Sequence, residues 1–599
     1  MHGVRTLMQD LSQHATNHPS KAAVVFAPES GTDRSITYGE LDRSARAAAR
    51  GLSRQCSPGA RVLLLHPTGL EFVQSLLACM YAGVVPVPVP LPGGYPHQRE
   101  RLAGIVADAG ATLALTDAAH EEEIRDWVTG SESAPVRALR VALIEPLTAG
   151  GGTDAPAPAR TTLDDLAFLQ YTSGSTGDPK GVMVTHANVS HHTQSFAQSL
   201  DLGPGSVFCS WLPAYHDFGL IGMLLVPLGV GATTYLMTSS HFLKRPAAWL
   251  HLVDRSGATV IGAPNFGYDH CLRQARDRQL EGLDLSRVRT ALNGAEPIDP
   301  SALDGFTERF SAYGFGAACH APAYGLAEAT LTVSYPVADS GHTTVAVRSS
   351  ALGDGRFETS QGLPDADDTT RLVGCGTPRE GEVILVDPTG ERLTEGRVGE
   401  IWVRGPVVAA GYWGRPDATQ ETFGAIAADG SGPWLRTGDL GALHEGSLVV
   451  TGRLKELLII HGRNVFPYDL ERLMQTVHPG AEGRPGAVFT PSERPGTVVA
   501  VQEFRATLRP TDPVTQAEAL TELDSVVHEM AALLADVSGA QVTDVVLVRP
   551  GRVQRTTSGK IQRGRTREAL ESGALEPLHS LRVARRSPDP RHDHAGATA

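Results

Sequence analysis

Short apolar runs alternate with stretches of helical spacing over the first 150 residues. Residues 61–66, Arg-Val-Leu-Leu-Leu-His, read as a buried strand. Thr37-Tyr38-Gly39-Glu40 is a capping box, with Leu41, Ala45, Ala48, Ala49 and Leu52 following at helical spacing. Residues 70–81 read as a helix with Phe72, Leu76 and Cys79 on one face and Gly83 as its C-cap; 84–89 is a strand broken up by prolines. Strand, helix, strand recurs at 112–116, 121–128 and 140–144. Such alternation predicts an α/β fold with a mostly parallel, doubly wound sheet. From 457 the texture changes. Strands at 457–461, 487–489, 498–503 and 542–548 alternate with helices at 467–477 and 516–534, a compact α+β unit of domain size. The segment 148–160 is a Gly/Ala/Pro connector, and the charged, proline-containing stretch 576–599 reads as a disordered tail. No internal repeat is visible.

The connector leads to the most informative stretch. Residues 166–170 and 182–186 read as strands. Between them lies Tyr171-Thr172-Ser173-Gly174-Ser175-Thr176-Gly177-Asp178-Pro179-Lys180-Gly181. Glycine lets backbone approach a ligand, and a row of N–H groups forms an anion-binding concavity. Four hydroxyls and one ammonium add to it, so the expected ligand is polyphosphate. It is not a Walker loop: Pro179 stands where the second glycine belongs, and a strand rather than a helix follows Lys180. The bland alternative is a flexible Gly/Ser hairpin connection.

At 599 residues the chain is expected to form several domains. A net charge of −14 argues against general nucleic-acid or anionic-membrane binding, while allowing a local basic groove. Six scattered cysteines without a C-x-x-C pair favour a reducing compartment over disulfides or zinc. No signal peptide or membrane span is read, so the expected location is the cytoplasm.

Further along, His216-Asp217 reads as a turn pair, and His191-His192 as a solvated pair at the start of a helix. In residues 260–270, Gly262 and Ala263 make either a strand-to-helix turn or the floor of an apolar pocket. Tyr324 is flanked by glycine and suited to stacking on a base; Glu328 is suited to Mg. Asp439 can accept from ribose hydroxyls, and Arg453 offers a donor fork to ribose or α-phosphate. Individually each is an ordinary turn or surface residue. Near the end, 554–563 is a polar loop presenting Lys560.

In this order the motifs resemble the adenylate-forming superfamily over about residues 5–565, and within it the fatty acyl-AMP ligases. The phrases that carry the resemblance are TSGSTGDPKGV, VPVPLP (87–92), SWLPAYHDFGLIG (210–222), APNFGYD (263–269), AYGLAEATL (323–331), GEIWVRGPVVAAGYW (399–413) and RTGDLGAL (436–443). A long interval between Glu328 and Gly374, polar through about 347–371, resembles the insertion of those ligases, which packs on the large domain and disfavours the rotation needed for acyl-CoA formation. Two departures stand out: Val465-Phe466 and Tyr468 where many relatives carry His-Tyr and Gln, and Val553-Gln554 where Leu-Pro is common.

The resemblance implies an N-terminal adenylation domain (1–452) with doubly wound sheets and a β-barrel-like subdomain, a hinge at 453–456 around Lys455, and a small mobile domain at 457–575. It implies that ATP and a fatty acid give acyl-AMP and pyrophosphate. The acyl group then passes to the phosphopantetheine thiol of a carrier protein, acting in trans because no carrier domain is read after 575. Thr172, Ser173, Gly174, Ser175, Thr176, Gly177 and Lys180 would hold the β- and γ-phosphates, and Glu328 with Thr176 would place Mg. Gly294, Ala295, Glu296, Tyr324 and Gly325 would cradle adenine, and Asp439 and Arg453 would fix the ribose. His216 would sit near the acyl carboxylate, and Lys560 would neutralise charge developing at the α-phosphate. Three alternatives stay open: an acyl-CoA synthetase of the same superfamily, an amino-acid-activating domain, and an inactive nucleotide-binding regulator.

Overall fold

Strand–helix alternation in the first 150 residues folds into a parallel sheet ordered Val85–Val89, Arg61–Leu65, Leu113–Thr116, Arg140–Leu143. The computed structural model describes residues 5–94, 96–149, 161–172, 179–360, 368–460, 463–494, 496–506, 513–555 and 560–582. The helix Leu70–Ala82 ends on Gly83 in the left-handed conformation. It is buried on all sides from Ser75 to Ala82, not along one face, as an apolar helix enclosed by other elements must be. The prolines of Val85–Val89 lie on the edge strand. Val85 N–H donates to Ala60 C=O at 2.8 Å, so Val85, Val87 and Val89 face the sheet and Pro86 and Pro88 face outward, where no donor is needed.

A second sheet has seven strands, ordered His320–Pro322, Thr290–Asn293, Val260–Ala263, Val207–Ser210, Thr233–Leu236, Ala22–Phe26, Arg34–Thr37. All its neighbours are parallel except the last pair. The barrel-like part contains a six-stranded antiparallel sheet: Thr343–Arg348, Thr369–Gly374, Ser447–Arg453, Leu435–His444, Gly399–Arg404, Glu382–Val386. By its internal contacts the chain falls into two units, 1–454 and 455–599. The smaller has a four-stranded sheet, Gly486–Phe489, Thr497–Glu503, Gln541–Val548 and Pro577–Arg582, and a separate hairpin of Leu458–Ile460 and Arg463–Val465.

Three expectations are corrected. Residues Pro577–Arg582, expected within a disordered tail, form a strand antiparallel to Gln541–Val548. A bulge resets its alternation, so that Leu578 and Leu581, three apart, both pack on the small unit's core. Residues 583–599 lie outside the described residues. The helix expected to start at His191 begins at His186, because Thr185 and Asn188 make a capping box (Asn188 N–H to Thr185 Oγ1, 3.1 Å; Thr185 N–H to Asn188 Oδ1, 2.9 Å). That phase buries His192 completely, stacked on Phe196, with Nδ1 3.4 Å from the buried Glu380 carboxylate. The space before Gly262 is filled: a Cβ there would stand 3.0 Å from Met223 Sδ and 3.1 Å from Phe218 Cζ.

The stretch 347–371 is described except for 361–367. Ala351, Leu352 and Phe357 are buried, and Phe357 N–H donates to Gly396 C=O at 2.9 Å, so it packs within the large unit. The connector residues 150–160 lie outside the described residues. Among the described residues no helix is long and apolar enough to cross a membrane.

Candidate active site

The polyphosphate stretch is closed by a hairpin. Leu166–Thr172 pairs antiparallel with Lys180–Thr185, and Thr172 opposite Lys180 is the final pair. Ser173, Gly174, Ser175, Thr176 and Gly177 lie outside the described residues. Beyond the hairpin, residues 410–413 run along the second strand. Met183 N–H donates to Gly411 C=O (2.9 Å), Ala410 N–H to Met183 C=O (3.0 Å) and Trp413 N–H to Gly181 C=O (2.8 Å). Asp108, from the helix Pro96–Ala109, braces the base. Its Oδ2 accepts from Tyr171 Oη at 2.7 Å, and its Oδ1 accepts from the Arg415 fork at 2.7 and 3.1 Å.

This arrangement sets Tyr412 beside the last rung of the hairpin. Lys180 Nζ sits 4.7 Å above the Tyr412 ring, and Tyr412 Oη donates to Glu328 Oε1 at 2.7 Å. Burial first, and the Glu328 carboxylate second, push the Tyr412 phenol well above its usual range, so it stays a donor. Glu328 lies in the 3₁₀ turn Ala327–Ala329 and its C=O accepts from Ala409 N–H at 2.9 Å. Lys180 and Glu328, 148 positions apart in sequence, thus share one aromatic side chain.

A second cluster forms where the seven-stranded and antiparallel sheets meet. Asp439 and Arg453 are register partners on adjacent strands. Asp439 Oδ1 accepts from Arg453 Nε at 2.7 Å and Oδ2 from Tyr324 Oη at 2.9 Å. Asp439 is buried, and each of its oxygens retains a further lone pair for a ligand hydroxyl. Burial and then Asp439 hold the Tyr324 phenol protonated. Thr437 Oγ1 accepts from Asp439 N–H at 3.1 Å, and Glu400 accepts from Arg436 and from Gly438 N–H, fixing the turn before Asp439.

Gly294 and Ala295 leave the carboxyl end of the strand Thr290–Asn293, the end at which open α/β sheets bind ligands. Ala323 N–H donates to Asn293 C=O at 2.7 Å, and a Cβ on Gly294 would come within 2.8 Å of Ala323 O. At Gly325 a Cβ would meet Leu331 O at 1.8 Å, so no other residue fits the Tyr324 turn unchanged. Tyr324, Asp439 and Arg453 are thus joined directly, and the strand end at Asn293 and Gly294 meets Ala323, the residue before Tyr324. Glu296 follows in the same segment as Gly294 and Ala295, and its Oε1 accepts from Phe266 N–H at 2.6 Å, at the start of the helix Asn265–Gln274.

His216 lies just before the π-helical turn Phe218–Leu225, a geometry often found at functional sites. Its Nδ1 is 2.6 Å from Asp217 Oδ1, which also accepts from Phe218 N–H. Gln170 Nε2 donates to Tyr215 C=O at 2.9 Å, which ties this loop to the hairpin two residues before Thr172. Ala214 N–H donates to Thr68 Oγ1 at 3.1 Å. Just upstream, Ser75, His66 and Asp117 stand in hydrolase-like order (Oγ–Nε2 2.9 Å, Nδ1–Oδ2 3.4 Å). All three are buried, and they tie the helix Leu70–Ala82 to the ends of the strands Arg61–Leu65 and Leu113–Thr116.

Lys560 belongs to the small unit; Thr556, Thr557, Ser558 and Gly559 lie outside the described residues. Among the described residues no group of three or more His, Cys, Asp or Glu side chains is arranged to hold a metal. Sequence reasoning missed Tyr412 and Asp108. The Tyr412-Trp413 pair, isolated between a glycine and Gly414, was the available signal; Asp108 gives none, since it acts only through folded contacts.

The AMP-binding enzyme family matches residues 11–413. The medium-chain-fatty-acid–[acyl-carrier-protein] ligase JamA of Moorena producens (strain JHB) is 36% identical over 575 residues, covering 95% of each chain. The putative fatty-acid–CoA ligase FadD21 of Mycobacterium tuberculosis (strain ATCC 25618 / H37Rv) is 34% identical, covering 92% of this chain and 96% of its own. A crystal structure of a fatty acyl-adenylate ligase from L. pneumophila, in complex with acyl adenylate and pyrophosphate, superposes with a TM-score of 0.72 at 32% identity, covering 96% of this chain and 98% of its own.

Proposed function

Because the chain belongs to the AMP-binding enzyme family, we propose that it is a fatty acyl-AMP ligase: it adenylates a fatty acid with ATP and passes the acyl group to the phosphopantetheine thiol of a carrier protein acting in trans. The observation that carries this reading is the gathering of Lys180 and Glu328 on Tyr412, at the mouth of the polyphosphate hairpin.

The fatty carboxylate attacks the α-phosphorus and pyrophosphate departs in line. Little covalent work falls to the protein; it orients the reactants and offsets charge. Lys180, with Thr172, Ser173, Gly174, Ser175, Thr176 and Gly177, holds the β- and γ-phosphates. Asp439 and Arg453 hold the ribose, and Tyr324 packs on adenine between Gly294, Ala295 and Gly325. His216 faces the acyl carboxylate, and Lys560 neutralises the charge that builds between carboxylate and α-phosphate. The Glu328 carboxylate is a hard oxygen donor already oriented by Tyr412, which fits Mg. Mg is commonly held by one or two carboxylates together with phosphate oxygens, so Glu328 and Thr176 would suffice, and Mg would supply charge compensation on the leaving phosphates. Rotation of the small unit about Lys455 brings Lys560 to the reaction. Six free thiols support a reducing, cytoplasmic setting.

The test is incubation with ATP, Mg and a panel of fatty acids, adding either CoA or a phosphopantetheinylated carrier protein, with products identified by mass spectrometry. Acyl-AMP and acyl-carrier are expected. Acyl-CoA in place of acyl-carrier would establish the second reading, a fatty acyl-CoA synthetase, which the likeness to FadD21 favours.

A further inference from the structure

Arg563 opens the helix Arg563–Glu571, three residues after Lys560. Its Nε and Nη2 donate to the two oxygens of Glu471, both at 2.7 Å, and Glu471 is only 2% exposed. Glu471 Oε1 accepts also from Val488 N–H at 2.9 Å, so this fork is anchored between the helix Pro467–Thr476 and the strand Gly486–Phe489. The third nitrogen, Nη1, donates to Glu456, the final residue of the turn Leu454–Glu456 where the small unit begins. The segments flanking Lys560 are tied together: Gln562 N–H donates to Gln554 C=O at 2.8 Å, Gln554 N–H to the Thr566 side-chain Oγ1 at 3.1 Å, and Arg555 bridges Ile561. Lys560 therefore stands directly before Ile561 and Gln562, which are paired to Arg555 and Gln554, and three residues before Arg563.

One carboxylate is enough to neutralise a guanidinium, and a fork on Glu471 is the strong form of that pairing. Glu456 adds a second carboxylate, which repels the first: burial pushes the Glu471 carboxyl up, Arg563 and Val488 N–H pull it back, and Glu456 adds a smaller push upward. At 29% side-chain exposure, Glu456 had solvent as an alternative partner. What sets it apart is its place, next to Lys455. We propose that Arg563 is a positioning residue: through Glu471 it seats the Lys560 loop on the core of the small unit, and through Glu456 it registers that loop to the segment joining the two units. Turning of that segment is then transmitted to Lys560 by a three-group ion contact, not by the backbone alone.

This inference rests on the reading of Lys560 as the residue that meets the α-phosphate. In the full-length protein, Glu456→Ala should lower the kcat of fatty-acid-dependent pyrophosphate release by about ten- to a hundredfold, the size of effect a misplaced reacting group produces. The KM for ATP and for dodecanoate should stay within about twofold, since neither is held by Glu456. Glu456→Gln, which keeps an acceptor opposite Nη1, should recover most of the kcat. Arg563→Lys, which keeps the charge but loses the fork, should fall further than Glu456→Ala. Wild-type kcat in Glu456→Ala overturns the coupling; so does a loss that follows a lowered Tm and is not recovered by Gln, which marks a merely structural contact. Lys560→Ala is measured alongside. If it releases pyrophosphate normally, the reading of Lys560 fails; if it is inactive while Glu456→Ala is not, only the coupling fails.

Discussion

Tyr412 joins three parts of the candidate site. Its hydroxyl donates to Glu328, its ring lies under Lys180, and its backbone bridges Val182 of the hairpin. Phenylalanine at this position keeps the ring and removes only the hydroxyl, leaving Glu328 without its oriented donor. A hydrogen bond to a charged group is worth about 1.5–3 kcal/mol. Tyr412→Phe should therefore lower kcat/KM for adenylation by about ten- to a hundredfold, with the loss concentrated in the Mg dependence and a Tm close to wild type. ATP–pyrophosphate exchange at varied Mg checks this; an unchanged Mg dependence would remove Tyr412 from the site. Residues of this kind are poorly legible in sequence. Glu328 and Lys180 carry charge and announce chemistry, whereas a tyrosine that acts by joining them looks like any buried aromatic until the fold brings positions 180, 328 and 412 together.

At the scale of elements, the sequence was most readable where local chemistry and burial agree. The capping box at Thr37, the C-cap at Gly83 and the βαβ alternation all formed as predicted. It failed where one residue controls the phase of many. Missing the cap at Thr185 put His192 on the solvent face, and the bulge near Val548 concealed the strand Pro577–Arg582. Two buried histidines, each the first residue of its element, have a consequence for stability. Burial lowers His186 to about 4, with Asp165 partly opposing it. His320 is lowered to about 4 by burial and then by His342. Both are neutral in the folded state and titrate near 6.5 when unfolded. Unfolding thus takes up protons between these values, and the stability these groups permit is lost as pH falls from about 6.5 to about 4. Thermal melts at pH 7, 6 and 5 should show a Tm that declines over this range. A flat Tm would mean that both sites admit the charged ring.

The whole molecule is two units with separate cores. The apolar clusters around Phe168, Leu65 and Val403 lie wholly within 1–454, and those around Val527 and Val501 wholly within 455–582. Lys180, Glu328, Tyr324, Asp439 and Arg453 all belong to the first, and Lys560 to the second. A fragment of residues 1–454 should therefore fold and bind ATP within about tenfold of the full chain, yet release no pyrophosphate with any fatty acid. Calorimetry and a coupled phosphate assay read the two quantities separately, and turnover by the fragment would contradict the division of labour. The edge strand Val85–Val89 bears on how such a molecule keeps its parts distinct. Its outward side, alongside the strand Leu166–Thr172, carries two prolines and hence lacks the donors at Pro86 and Pro88. Without them, neither the neighbouring hairpin nor a strand of another chain can extend the parallel sheet there. In a crowded cell that edge is closed to fibril-like growth, and within the molecule the hairpin packs beside the sheet without joining it.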